Sequence, residues 1–233
     1  MTDTFTQKEH TMKKSMGLGL ALLAVGGFVA FTYAQDHKDS YGKQDPHAGH
    51  DHSAQGDQEA GGEDAMKEAW AKAGKPGPHH AHLKPLVGKW NATAKFRPSP
   101  EAPWMESRSK GEFAWTMGGR FITQKVFGEP MMPEMPSFEG FGVIGYDNVT
   151  EKYQSFWIDN YGTMMMMAEG TCDATGKTFT FKGTFTDPMT GKPTWLKSVY
   201  KIESNDRITL TMYGPDPTGQ EFRTMEIIHT RAG

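Results

Sequence analysis

The sequence predicts an all-β domain over residues 79–232, folded as an antiparallel up-and-down β-barrel of about ten strands. Three observations carry that expectation. Apolar residues recur at every second position through much of this stretch, the period of a strand with one buried face. Turn-forming Asp, Asn, Gly and Pro interrupt the alternation every eight to twelve residues. The connections are short apart from 129–137, which leaves no room for the helical crossovers that parallel strands need.

In chain order, residues 1–34 read as a secretory signal peptide. Lys13 and Lys14 form a positive start, Met16 to Phe31 is an apolar run, and Thr32 and Ala34 are the small residues of a cleavage site before Gln35. Met12 is an alternative start. The expected location is therefore periplasmic or extracellular, with membrane attachment only if the segment stays uncleaved. Residues 35–62 are dominated by His, Asp, Gly, Gln and Ser and have almost nothing to bury, the composition of a disordered linker. Over 63–78 a short helix, Glu63 to Ala73, is followed by the breaker Gly74-Lys75-Pro76-Gly77-Pro78. Met66, Trp70 and Ala73 share one helix face, a narrow stripe suited to docking on the barrel.

The first strand is the clearest. Trp90, Ala92, Ala94 and Phe96 fall on one face, and Lys89, Asn91, Thr93 and Lys95 on the other. Phe179, Phe181, Gly183 and Phe185 alternate with threonines and a lysine in the same way, as do Ile208, Leu210 and Met212 with Thr209 and Thr211. Further strands are expected at 105–117, 120–128, 138–147, 152–159, 163–171, 193–203 and 221–231. Inward-facing Ala92, Ala94 and Gly183 would leave volume at the centre. A barrel of this strand number either just fills or encloses one small molecule.

The net charge of −3 argues against a nucleic-acid partner, because phosphate neutralisation needs a basic face. Most of that charge falls on 35–78, with five Lys against nine acidic residues. Cys172 is the single cysteine, so no internal disulfide is available and the core must hold the fold. Its expected role is that of a small apolar side chain.

Several motifs resemble a known family. Pro76-Gly77-Pro78-His79-His80-Ala81-His82-Leu83 leads into Leu86-Val87-Gly88-Lys89-Trp90, and Gly118-Gly119-Arg120-Phe121, Gly145-Tyr146-Asp147-Asn148 and Trp157-Ile158-Asp159 follow. Thr186-Asp187-Pro188-Met189-Thr190-Gly191-Lys192 and Met225-Glu226-Ile227, closing on Thr230-Arg231, complete the set. Together they resemble the bacterial domain-of-unknown-function family 1579 over essentially all of 79–232. A broader likeness is to lipocalin-like (calycin) barrels and the related nitrobindins, whose first strand carries Gly-x-Trp. That resemblance implies that Gly88, Trp90 and Arg231 are structural, with the Arg231 guanidinium lying over the Trp90 indole to plug one barrel end. It brings no established activity.

The candidate functional residues form four groups. The cavity candidates are Trp90, Phe96, Phe179, Phe181, Leu210, Met212, Met225 and His229, which would line a site for a small apolar or amphipathic molecule. His37, His47, His50 and His52, interleaved with Asp45 and Asp51, are metal-binding candidates for Cu, Ni or Zn. His79, His80 and His82 are expected in a short turn across the barrel mouth, and Met131, Met132 and Met135 as an apolar lip there. Trp157, Asp159 and Arg120 are candidates for a shared polar site at one barrel end. The nitrobindin likeness raises haem ligation by an inward His229, yet the nitrobindin histidine falls where this chain has Met225, so haem is disfavoured. No phosphate loop, Ser/His/Asp order or zinc-protease motif is present, so catalysis has no support in the sequence.

Overall fold

The computed structural model describes residues 56–233. The expected signal segment, linker residues 35–55 and the four tail histidines lie outside the described residues, whereas 56–62, expected to be disordered linker, belong to a helix that begins seven residues before Glu63. Helix α1 runs over Gly56–Gly74 and a single turn, α2, over Pro78–Ala81. Ten strands follow: β1 (Gly88–Phe96), β2 (Met105–Thr116), β3 (Phe121–Gly128), β4 (Phe138–Asp147), β5 (Lys152–Asp159), β6 (Met166–Cys172), β7 (Thr178–Thr186), β8 (Pro193–Ser204), β9 (Arg207–Pro215) and β10 (Glu221–Arg231).

Each strand pairs antiparallel with its chain neighbours, and β10 closes on β1 with Trp90 opposite Arg231 and Ala92 opposite His229. The expected meander is therefore the observed one. Closure removes both sheet edges, so none of the ten described strands is left unpaired to template aggregation.

The barrel has a sealed end and an open end. At the sealed end α2 and the 3-10 turn Lys84–Leu86 cross the opening and drive Leu83 and Leu86 into it, leaving both 0–1% exposed. They join Trp90, Phe113, Ile122, Ile144, Tyr153, Phe179, Phe181, Ile202 and Ile208 in a dense cluster of aromatic and branched side chains. The second cluster lies toward the open end and is softer: Phe96, Met166, Leu196, Leu210, Met212 and Met225.

The plug follows the expected arrangement. Arg231 lies with its guanidinium carbon 4.3 Å from the Trp90 ring centre. Its Nη1 donates to Val87 O at 3.1 Å and its Nε to Asn205 O at 2.7 Å. Trp90 Nε1 donates to Leu86 O at 2.9 Å, so the indole is satisfied as well as buried. Gly88 makes this possible: its φ is +144°, and a Cβ there would sit 2.2 Å from Arg231 Nη1.

Three expectations are corrected. The Met66/Trp70 stripe does not dock, since those side chains are 56% and 74% exposed. Instead α1 is held at its C-terminal end, where Asn148 Nδ2 donates toward the carbonyls of Lys72, Ala73 and Lys75. One amide satisfying carbonyls that a helix end leaves unpaired fixes it more cheaply than a narrow apolar stripe. The His79–His82 turn closes the end opposite the mouth. Arg120 immediately precedes β3 at that sealed end, whereas Trp157 and Asp159 finish β5 at the open end, so these three share no site.

Candidate functional site

Between the dense cluster and the open rim the barrel encloses a cavity of about 170 Å³. Its floor is formed by Phe113, Gln124, Phe181, Tyr200 and His229, and its walls by Ala94, Ser107, Ser109, Ser155, Ser198, Leu210, Met212, Met225 and Ile227. Met131, Phe138, Trp157, Asp159, Tyr161 and Met166 frame the mouth.

Of the eight sequence candidates, Phe181, Leu210, Met212, Met225 and His229 line this cavity. Trp90 and Phe179, at 1% and 0% exposure, are packed solid at the sealed end, and Phe96 sits in the open-end cluster without reaching the lining. The three share inward parity with the liners but lie at other heights along the barrel axis. Ala94 lines the cavity as expected. Gly183 serves another purpose, since a Cβ there would meet Met167 O at 2.6 Å, and its bareness lets β6 approach β7.

The mouth is built from β4, β5 and the 129–137 loop. Bare Gly140 and Gly142 let the Trp157 ring lie flat on β4, since a Cβ on either would come within 2.4–2.7 Å of it. Trp157 Nε1 donates to Asp159 Oδ2 at 3.0 Å, and Asp159 Oδ1 accepts from the Tyr161 backbone N–H at 3.0 Å. The Tyr161 hydroxyl accepts from Met131 N at 3.1 Å and donates to Pro136 O at 2.9 Å. The methionine loop is therefore pinned to the rim. Of Met164–Met167, Met166 points inward while Met165 and Met167 are more than half exposed, as strand alternation requires.

Polar inward residues are what sequence reasoning missed. Ser107 and Ser109 on β2, Gln124 on β3, Ser155 on β5, and Ser198 and Tyr200 on β8 all reach the cavity. Ser107 Oγ donates to Glu129 O at 3.2 Å. Burial raises the Tyr200 phenol above its ordinary pKa, opposed by a hydrogen bond to Gln124. His229 is 6% exposed, and its Nδ1 has no hydrogen-bond partner. Desolvation holds its pKa down at about 4, so the ring is neutral at physiological pH. Among the described residues no Lys or Arg lines the cavity, and Asp159 is its one carboxylate.

The other titratable groups are structural. His80, 5% exposed, accepts from Gly77 N at 3.1 Å through Nδ1, and its pKa is lowered chiefly by burial. Tyr153 donates to His79 O at 3.0 Å and lies 2.9 Å from His82 Nδ1, while the His79 ring stacks on Tyr146 at 4.4 Å. Burial pushes the Cys172 thiol up to about 11. Among the described residues no group of three or more His, Cys, Asp and Glu is arranged to hold a metal ion.

Comparison with known proteins places this geometry. The family described as "Protein of unknown function (DUF1579)" matches residues 75–231. No curated protein is similar enough to match. Among solved structures, Rv2717c from M. tuberculosis superposes with a TM-score of 0.51 at 17% identity, over 68% of this chain and 100% of that one. An S-type phycobiliprotein lyase, CPES from Guillardia theta, gives a TM-score of 0.49 at 13% identity, over 69% of this chain and 96% of that one. Likeness at the first of these levels shows a shared barrel fold.

Proposed function

This chain belongs to the DUF1579 family of proteins of unknown function, its matched span covering the whole barrel, and we propose that the barrel is a binding module. It holds a small apolar or amphipathic molecule in its open half. The observation that carries this reading is the contrast between the two halves. The sealed half is packed to 0–1% exposure at Leu83, Leu86, Trp90 and Phe179, while the open half keeps about 170 Å³ unfilled behind a defined mouth. Native interiors rarely leave such space, because every unfilled ångström forfeits packing. An empty apolar cavity of about 150 Å³ is large enough to take benzene. Methionines at 131, 166, 212 and 225 supply adaptable walls. The lining polar groups form no nucleophile–base pair, so holding a molecule is better supported than transforming one.

The lining methionines provide the assay. With methyl-labelled methionine, benzene titrated into the full chain is expected to shift the Met131, Met166, Met212 and Met225 methyl resonances and to spare exposed Met117 and Met189. Ala94→Phe, which places a ring in the cavity, is expected to abolish those shifts. Shifts spread over the exposed methionines, or none at saturation, would refute a binding cavity.

A further inference from the structure

The cavity floor carries a hydrogen-bonding group that the protein itself leaves unused. His229 projects from β10 beside the cavity, and its Nδ1 is buried with no partner. The Ile208 backbone, opposite on β9, lies near enough to favour the protonated ring but makes no well-formed hydrogen bond to Nδ1, and the ring neighbours cannot supply one. Phe113 lies 5.8 Å away and Trp90 6.4 Å away in edge-on arrangements, and Trp90 Nε1 already donates to Leu86 O. A buried polar atom without a partner is costly, and native proteins keep few of them. Gln124, 3% exposed, and Tyr200 line the same cavity and share a hydrogen bond with each other.

We propose that His229, with Gln124 and Tyr200, forms a polar floor that selects a ligand bearing a hydroxyl group on a single ring or short chain and rejects the matching anion. This rests on the binding reading above and names the chemistry of its ligand. A neutral imidazole has one donor and one acceptor nitrogen. A hydroxyl both donates and accepts, so it satisfies the ring in either tautomer. A carboxylate only accepts, and among the described residues no Lys or Arg lines the cavity to compensate its charge, while Asp159 at the mouth repels it. A cationic head finds its counter-charge at Asp159, far from the floor. A hydrocarbon leaves the imidazole unpaired. The volume of about 170 Å³ fits one ring, with Leu210, Met212, Met225 and Ile227 closing round the apolar part.

The test compares phenol, benzene and benzoate on the full chain in sealed samples at pH 7.5, read from the Met212 and Met225 methyl resonances. Phenol is expected to bind about tenfold more tightly than benzene, the yield of one well-made hydrogen bond to an otherwise unpaired group, and benzoate is expected not to bind. His229→Phe should bring phenol within about twofold of benzene while retaining benzene. If that variant fails to fold, Gln124→Leu should narrow the same preference, and the wild-type comparison decides by itself. Benzene binding with no preference for phenol overturns the polar floor and leaves the binding module standing. So does a preference that His229→Phe leaves intact. Failure of all three probes to bind overturns both.

Discussion

Gly88→Ala tests the closure of the barrel at a single atom. Two costs are built into the geometry. The backbone at 88 has φ +144°, where a residue with a Cβ is strained by about 1–3 kcal/mol. The new Cβ would also lie 2.2 Å from Arg231 Nη1, so the guanidinium must leave its seat. Moving it weakens the stack 4.3 Å over Trp90, worth about 0.5–2 kcal/mol. It also breaks the 3.1 Å bond to Val87 O, worth about 1 kcal/mol. The substitution should therefore cost about 2.5–6 kcal/mol, a large part of a small domain's stability. Urea unfolding followed by tryptophan fluorescence reads this as a lower midpoint at unchanged slope. The two costs separate in a double-mutant cycle. In an Arg231→Met background the guanidinium no longer obstructs, so Gly88→Ala should cost about 1.5–3 kcal/mol less. A wild-type cost below about 0.5 kcal/mol would mean that the plug has slack and Gly88 is incidental. A full cost with no coupling to Arg231 would refute the steric half of the reasoning.

Other expectations can be checked directly. The His229 pKa is lowered from 6.5 to about 4 by burial, so the unfolded chain takes up a proton first as pH falls. Stability from this group is complete above pH 6.5 and declines by up to about 3 kcal/mol down to pH 4; urea midpoints across that range should show the slope, and His229→Phe should flatten it. His80 shifts in the same direction and leaves a residual slope, while the lowered carboxylates Asp173 and Asp216 act only at lower pH. Cys172, with its thiol at about 11, should alkylate at pH 8 about a hundredfold more slowly when folded than in urea; equal rates would contradict its burial. If the tail histidines His37, His47, His50 and His52 hold Cu(II), deleting 35–62 should abolish tight Cu(II) binding in a calorimetric titration while leaving the benzene response intact. If residues 1–34 act as a signal peptide cleaved after Ala34, intact-mass measurement of the mature protein should give a terminus at Gln35, and a mass retaining 1–34 would refute cleavage.

The ten strands were legible because a half-buried strand must alternate. Where every second residue is Trp, Ala, Phe or Leu, as in β1, β7 and β9, the sequence fixes a face and hence a register. Where four methionines run together, the alternation is hidden, and β6 begins at Met166 rather than residue 163. The polar liners were hidden for the opposite reason. Ser107 and Ser109 stand among Arg108 and Lys110, and Gln124 stands between Thr123 and Lys125, so both faces look wet. The inward parity of Phe113, Ile122 and Val126 on the same strands would have exposed them. Height along the axis is a different matter. Trp90 and Leu210 both point inward, yet one is packed solid and the other faces a void. That difference depends on Leu83 and Leu86 being driven into one end by a turn outside the sheet.

The separation of the two halves gives the cavity its physical meaning. Solid packing, the Arg231 plug and the hydrogen-bonded His79–Tyr153 contacts all gather at the end that α2 covers. The open half has what a core would avoid: unbranched methionines, four inward serines and an unpartnered imidazole. If the open half were needed to hold the barrel together, these choices would be poor ones, since each gives up packing or leaves a polar group in low dielectric. Closure by ten antiparallel strands already secures the wall around it. The open half is therefore free to carry side chains whose hydrogen bonds and contacts are completed only when something else is present, and a binding site needs that freedom.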